Sequence, residues 1–180
     1  ALPCALELAE KLKQVSQKLP VYFIHGNRDF MLGKQYARAA GMQILPEVTC
    51  LNLYGIETVI LHGDSLCTLD KAYQRFRKLR SLSLARWLYG CLSKKTRQGI
   101  ADKIRSNSKS SNQQKSYTIM DVEPNAVDAL FAKTHTKHMI HGHTHRPAIH
   151  QLANGCQRIV VGDWYEQGSV LSVSAEGINL

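Results

Sequence analysis

At 180 residues and 44% hydrophobic composition, the chain is long enough for one domain with a packed core and too short for two large ones. No stretch reaches the roughly 20 apolar residues that a membrane-spanning helix needs, which points to a soluble protein or one that meets a membrane only at its surface. The formal charge of +9 is concentrated: from Lys71 to Lys115 there are 13 Lys and Arg against one acid, Asp102, giving +12, so the rest of the chain sums to −3. A segment so basic implies an anionic partner, whether nucleic acid, an acidic lipid surface or a phosphorylated substrate.

Along the chain, Leu6, Leu8, Ala9, Leu12, Val15 and Leu19 recur at near-helical spacing up to Pro20, which predicts a charged amphipathic opening helix rather than a secretory signal. Residues 21–24 predict a short strand ending in the loop His25-Gly26-Asn27-Arg28-Asp29, and residues 31–40 a helix closed by Gly41. Residues 42–45, 48–54 and 58–61 read as strands, the last two joined by a turn at Gly55, and the third of them runs into His62-Gly63-Asp64.

From Asp70 to about Arg105 the pattern is helical and basic, with Leu79, Leu82, Leu84, Trp87, Leu88 and Leu92 forming an apolar face. Residues 106–116 (SNSKSSNQQKS) have the composition of a loop, either a flexible connector or a segment ordered by a ligand. A helix resumes over 124–133, opened by Pro124, and a strand over 137–140 runs into His141-Gly142-His143-Thr144-His145. The remainder reads as strands over 148–152, 158–161 and 169–174, with an Asn154-Gly155 hairpin turn between the first two. Alternating strands and helices followed by hairpins predict an α/β sandwich, with residues 1–69 and 117–180 as its core and 70–116 as a basic helical cap. Five scattered cysteines without a CxxC pair suggest neither a zinc knuckle nor a disulfide framework, and fit a reducing compartment.

The chemistry sits where strands end. Ligands of α/β sheets gather beyond the carboxyl ends of the strands, and Asn27, His62, His143 and His145 all occupy such positions. On an extended segment the i, i+2 spacing of His143 and His145 places both imidazoles on one face. Any one histidine is more often structural than a ligand, but three strand-end loops carrying His or Asn favour a shared metal centre. Imidazole and amide donors suit a transition ion such as Mn²⁺, Fe²⁺ or Zn²⁺. Two such ions about 3.5–4 Å apart can activate a water and clamp an in-line displacement at phosphorus.

Gly26-Asn27-Arg28-Asp29, His62-Gly63-Asp64 and Gly142-His143-Thr144-His145 resemble, in order and in placement, the last three motifs of the calcineurin-like metallophosphoesterases. HGNRDF (25–30), HGDSLCTLD (62–70), SNSKSSNQQKS (106–116), IMDV (119–122) and HGHTHRPAIH (141–150) narrow the resemblance to a branch that hydrolyses an acylated UDP-sugar, and together they span almost the whole chain.

The resemblance implies an αββα metallophosphoesterase sandwich with an inserted helical cap. It implies two Mn²⁺ ions, Asn27, His62 and His143 holding one and His145 helping to hold the other. It further implies that Asn27, Arg28, Asp70, Ser108, Asn112, Lys115 and His143 contact the glucosamine or its phosphate, with Arg28 and His143 catalytic. Relatives often carry His where this chain has Arg28; a guanidinium cannot donate a proton at neutral pH, so Arg28 is expected to neutralise phosphate charge.

The expected reaction is cleavage of the diphosphate of UDP-2,3-diacylglucosamine to UMP and the lipid monophosphate, a step of lipid A biosynthesis. The expected place is the cytoplasmic face of a bacterial inner membrane, with the leucine-rich basic cap against anionic lipid and no nucleic acid or obligate protein partner. The family's Asp-x-His and Gly-Asp motifs have no candidate upstream of Asn27, so the expectation is that an N-terminal piece completes the site and that the chain alone is inactive. The competing readings are a metallophosphoesterase acting on nucleic acid or cyclic nucleotides, and a non-enzymatic basic binding module whose DNA affinity falls with salt.

Overall fold

The β-branched and apolar runs of the chain assemble a five-stranded mixed sheet, seen in a computed structural model that describes residues 3–114, 119, 121–164 and 168–180, with the backbone alone at 86, 94, 105 and 107–114. Packing divides the chain into two compact units, Ala1–Asp64 with Val127–Leu180, and Ser65–Ala126.

In the first unit, α1 (Pro3–Ser16) leads to β1 (Val21–Phe23), α2 (Lys34–Ala39) and β2 (Met42–Ile44), and β1 pairs with β2 in parallel. Ala9, Ala37, Ala40 and Met42 form the small buried cluster that holds these pieces together, with Leu12, Val21 and Phe23 packed around it. The helix expected over 31–40 begins only at Lys34: Gly33 is extended at its N-cap, and the three residues before it belong to the preceding loop.

The five-stranded sheet follows, in the order β3 (Val48–Leu53), β4 (Ile56–Leu61), β5 (His138–His141), β7 (Gln157–Val160), β6 (Ala148–Gln151). Its two outer pairs are antiparallel hairpins turned at Gly55 and at Asn154-Gly155, as the turn residues predict. Its centre is parallel: β4 pairs with β5 and β5 with β7, and α6 (Pro124–Thr134) precedes β5. Val59, Met139 and Ile159, one from each central strand, are wholly buried, as parallel strands covered on both faces require. A hairpin of β8 (Ser172–Ser174) and β9 (Gly177–Asn179) closes the chain.

The second unit is helical: α3 (Lys71–Ser81), α4 (Ser83–Cys91) and α5 (Lys94–Gln114). Asp70 caps α3, accepting from the Tyr73 amide at 3.1 Å, and the Ser93 hydroxyl accepts from the Thr96 amide at the start of α5. Extended backbone at Leu82 and Leu92 divides the helical stretch expected from Asp70 to about Arg105 into three helices. Residues 106–114, expected to be a loop, continue α5. Serine and asparagine make that stretch read as a loop, yet a helix already running from Lys94 extends at the cost of one residue at a time, without a fresh nucleus. Residues 115 and 116 of the same motif lie outside the described residues. Leu79, Leu82, Leu84, Trp87 and Leu88 are all more than half exposed. Among the described residues no helix is long and apolar enough to cross a membrane.

Candidate metal centre

Three neighbouring parallel strands end level with one another, and that registry builds the site. Leu61 pairs with His141, and His141 with Val160, so the residues that follow β4, β5 and β7 leave the sheet side by side. The Gly142 amide donates to the His62 carbonyl at 3.0 Å and the Val161 amide to the His141 carbonyl at 2.8 Å, carrying the ladder one step past the strands. His62, His143 and His145, and then Asp163, emerge at this edge.

The imidazoles of His62 and His143 meet there. Nδ1 of His143 lies 3.3 Å from Nε2 of His62, and the rings stand edge to face at 74° with centroids 5.1 Å apart. Burial, foremost, and the neighbouring His62 hold the His143 imidazole down to about 4, so at neutral pH it is an uncharged ring with a lone pair to give. His145 and Asp64 are near enough to act on its charge as well, His145 lowering and Asp64 raising.

His143 and His145 do not share one face of an extended segment. Both adopt the left-handed conformation, with φ of 71° and 55°, and the Thr144 amide turns back to the Gly142 carbonyl at 2.9 Å. Histidine tolerates this region better than most residues, and strained backbone of this kind concentrates at functional sites. The loop thus aims the two rings separately: His143 at His62, and His145 at Asp163, whose carboxylate accepts from Nδ1 at 2.8 Å.

The loop after β1 packs on the same imidazole. A side chain on Gly26 would come within 3.0 Å of Cε1 of His62 and 3.2 Å of its Nδ1, so only glycine lets this loop approach. The loop is tied to itself: the Gly26 amide donates to the Asp29 carboxylate, Nε2–H of His25 to the Leu32 carbonyl at 2.8 Å, and the Leu32 amide to the Asp29 carbonyl at 2.8 Å. Asn27 is half-buried and Arg28 exposed at its tip.

Beneath the pair, His141 is 1% exposed and is held as one neutral tautomer. Its Nδ1–H donates to the Gly142 carbonyl at 2.8 Å, and its Nε2 accepts from the Arg158 guanidinium at 3.1 Å, which can only donate. Gly63, with φ of 108°, passes so close that a Cβ there would lie 2.8 Å from Nδ1 of His141.

The other expected contacts fall on residues 70–116. Asp70 is the cap of α3, Ser108 and Asn112 lie on the backbone of α5, and Lys115 lies outside the described residues. Asp163 is absent from the sequence reading, although a cue exists: it follows a strand that pairs in parallel with β5, and the strand-end rule applied to 157–160 reaches it.

A profile of calcineurin-like phosphoesterases matches residues 2–147, and the chain belongs to that family. Over all 180 residues it is 99% identical to the UDP-2,3-diacylglucosamine hydrolase of Shewanella baltica strain OS155, covering 75% of that protein. With the same coverage it is 87% identical to the UDP-2,3-diacylglucosamine hydrolase of Shewanella putrefaciens strain CN-32 and 79% identical to that of Shewanella sp. strain MR-4.

The family works with divalent metal ions, and the imidazole pair fits one. Metal–nitrogen bonds of about 2.1 Å place neighbouring ligands of one ion about 3.0–3.4 Å apart, and the two ring nitrogens are separated by 3.3 Å. Among the described residues no group of three or more His, Cys, Asp or Glu is gathered around a metal-sized space, so the fit rests on nitrogen donors, with the Asn27 loop against them.

Proposed function

We propose that the protein hydrolyses the diphosphate of UDP-2,3-diacylglucosamine, adding water across the P–O–P bond to give UMP and 2,3-diacylglucosamine 1-phosphate, a step of lipid A biosynthesis. The observation that carries this reading is the convergence of His62 and His143 from two parallel strand ends, in a chain 99% identical to a hydrolase of that name. Divalent ions bound there, Mn²⁺ in this reading, would supply Lewis-acid activation of water and of the phosphoryl oxygens.

The chain's own residues divide the remaining work. His62 and His143 with Asn27 hold one ion, and His145 helps to hold a second. The depressed proton affinity of His143 keeps it a ligand at neutral pH, where a charged imidazolium would repel a cation. Arg28, exposed at the tip of the loop against His62, offsets negative charge as it builds on the transferring phosphate; His143 also faces the substrate. UMP is a good leaving group, so an arginine in place of a proton donor suits an anhydride.

Residues 70–116 serve as a cap in this reading. Asp70, Ser108, Asn112 and Lys115 contact the glucosamine or its phosphate, and the exposed Leu79, Leu84, Trp87 and Leu88 lie along acyl chains. The Lys and Arg among them meet anionic headgroups at the cytoplasmic face of the inner membrane.

The test is a substrate panel on the full-length protein with Mn²⁺: UDP-2,3-diacylglucosamine, a 2′,3′-cyclic nucleotide and single-stranded DNA, with products followed by phosphorus NMR. The expected result is UMP and lipid monophosphate from the first at a rate far above the others. Preferred cleavage of the nucleotide or the DNA would place the enzyme elsewhere in the family.

A further inference from the structure

We infer that Asp163 is a positioning residue for His145: it fixes the imidazole's tautomer and direction so that Nε2 presents its lone pair to a metal ion. The inference deepens the metal-centre reading and rests on it, since it takes His145 as a ligand.

The hydrogen bond decides the tautomer. A carboxylate can only accept, so the 2.8 Å contact between Oδ2 of Asp163 and Nδ1 of His145 requires the proton on Nδ1, and in the neutral ring, the form that binds a metal, Nε2 is then the nitrogen with the lone pair. The His145 side chain is 45% exposed on a left-handed turn. A histidine in that position would ordinarily sample several rotamers and both tautomers.

Asp163, by contrast, is held on both sides. The Gly162 amide donates to the Ser169 hydroxyl at 2.8 Å, and the indole N–H of Trp164 donates to the Ser169 carbonyl at 2.9 Å. A Cβ on Gly162 would lie 3.0 Å from that of Ser169, so the two segments touch. The residue between these anchors leaves β7 directly beside the turn that carries His143 and His145.

A plain surface ion pair would need none of this, and such pairs contribute little to stability. A carboxylate behind a metal-binding imidazole, on a clamped loop at the same edge of the sheet, strengthens the ligand as well as aiming it. Loss of such a support typically weakens metal affinity by about 10- to 100-fold.

The experiment compares the intact protein with Asp163→Ala and Asp163→Asn. In the metal-free state, long-range ¹⁵N–¹H correlation should show His145 as the Nδ1–H tautomer in the native protein and as a mixture with Nε2–H in Asp163→Ala. In a Mn²⁺ titration followed by electron paramagnetic resonance, Asp163→Ala should bind one ion about 10- to 100-fold more weakly. Asp163→Asn, whose amide oxygen still accepts, should fall between the two and keeps the test decisive if the alanine variant folds poorly. An unchanged tautomer together with unchanged Mn²⁺ affinity in both variants would overturn the inference. Because neither readout involves turnover, a protein that shows both shifts yet spares the acylated UDP-sugar refutes the substrate and supports the role of Asp163.

Discussion

The nearest ring nitrogens of His62 and His143 are 3.3 Å apart although 81 residues separate them in the chain. Parallel pairing of β4 with β5 brings their loops together, and the bond from the Gly142 amide to the His62 carbonyl holds the loops in step. A long basic insertion can therefore sit between the two strands without disturbing the registry on which the site depends.

That relationship makes Gly26 a sensitive position. Gly26→Ala would push a methyl group to within 3.0 Å of the His62 ring and displace it from its partner. The expected result is a fall in kcat/KM of about tenfold or more with little change in the melting temperature, since misplacement alone can cost about 100-fold. Gly33→Ala, which meets nothing within 4 Å, should leave the rate within about twofold and serves as the control in the same assay.

Gly63→Ala should act on stability instead. Its φ of 108° suits glycine alone, and the added methyl would press on the buried His141 at 2.8 Å. Backbone strain and overpacking together predict a loss of about 2–5 kcal/mol, read from the urea midpoint at unchanged slope.

His143 should leave a signature in the acid stability of the metal-free protein. Its imidazole is lowered from 6.5 to about 4 by burial and by His62, whereas unfolding exposes the ring and restores the ordinary value. Between those two values the unfolded chain takes up a proton that the folded chain refuses, so stability is complete above pH 6.5 and declines as pH falls toward 4. Denaturant melts at pH 7, 5.5 and 4.5 should show this decline, and His143→Gln should remove part of it.

Arg77 and Lys78 lie on α3 in the unit that exposes Leu79, Leu82 and Trp87. Changing both to Glu reverses four units of charge, and at about 1 kcal/mol per basic residue near an anionic surface the affinity for vesicles containing phosphatidylglycerol should fall by more than about tenfold. Hydrolysis of a short-chain soluble analogue should change less than about twofold. Equal losses in the two assays would show that these residues serve catalysis and not docking.

What was legible in the sequence follows from how local each signal is. The strand ends at His62 and His143 could be found because β-branched runs stop abruptly at His-Gly, and both hairpins announce themselves by Gly55 and Asn154-Gly155. The twist of the 143–145 turn could not, because i, i+2 spacing is the same for an extended and a left-handed segment. Asp163 is within reach of the strand-end rule, but its pairing with His145, 18 residues away, is not, because only the pairing of β5 with β7 sets the two side by side. The helical character of 106–114 escaped because serine and asparagine read as loop formers when the preceding turns of α5 are left out of account.

The central claim is that His62 and His143 act as one site, and a double-mutant cycle in kcat/KM on the full-length protein tests it most directly. His62→Ala and His143→Ala should each reduce the hydrolysis of UDP-2,3-diacylglucosamine by about 1,000-fold or more, and the double variant should be scarcely worse than either, as groups that act as a unit behave. Two small effects that simply multiply, or undiminished turnover in either single variant, would show that the two imidazoles do not share an ion and would contradict the account.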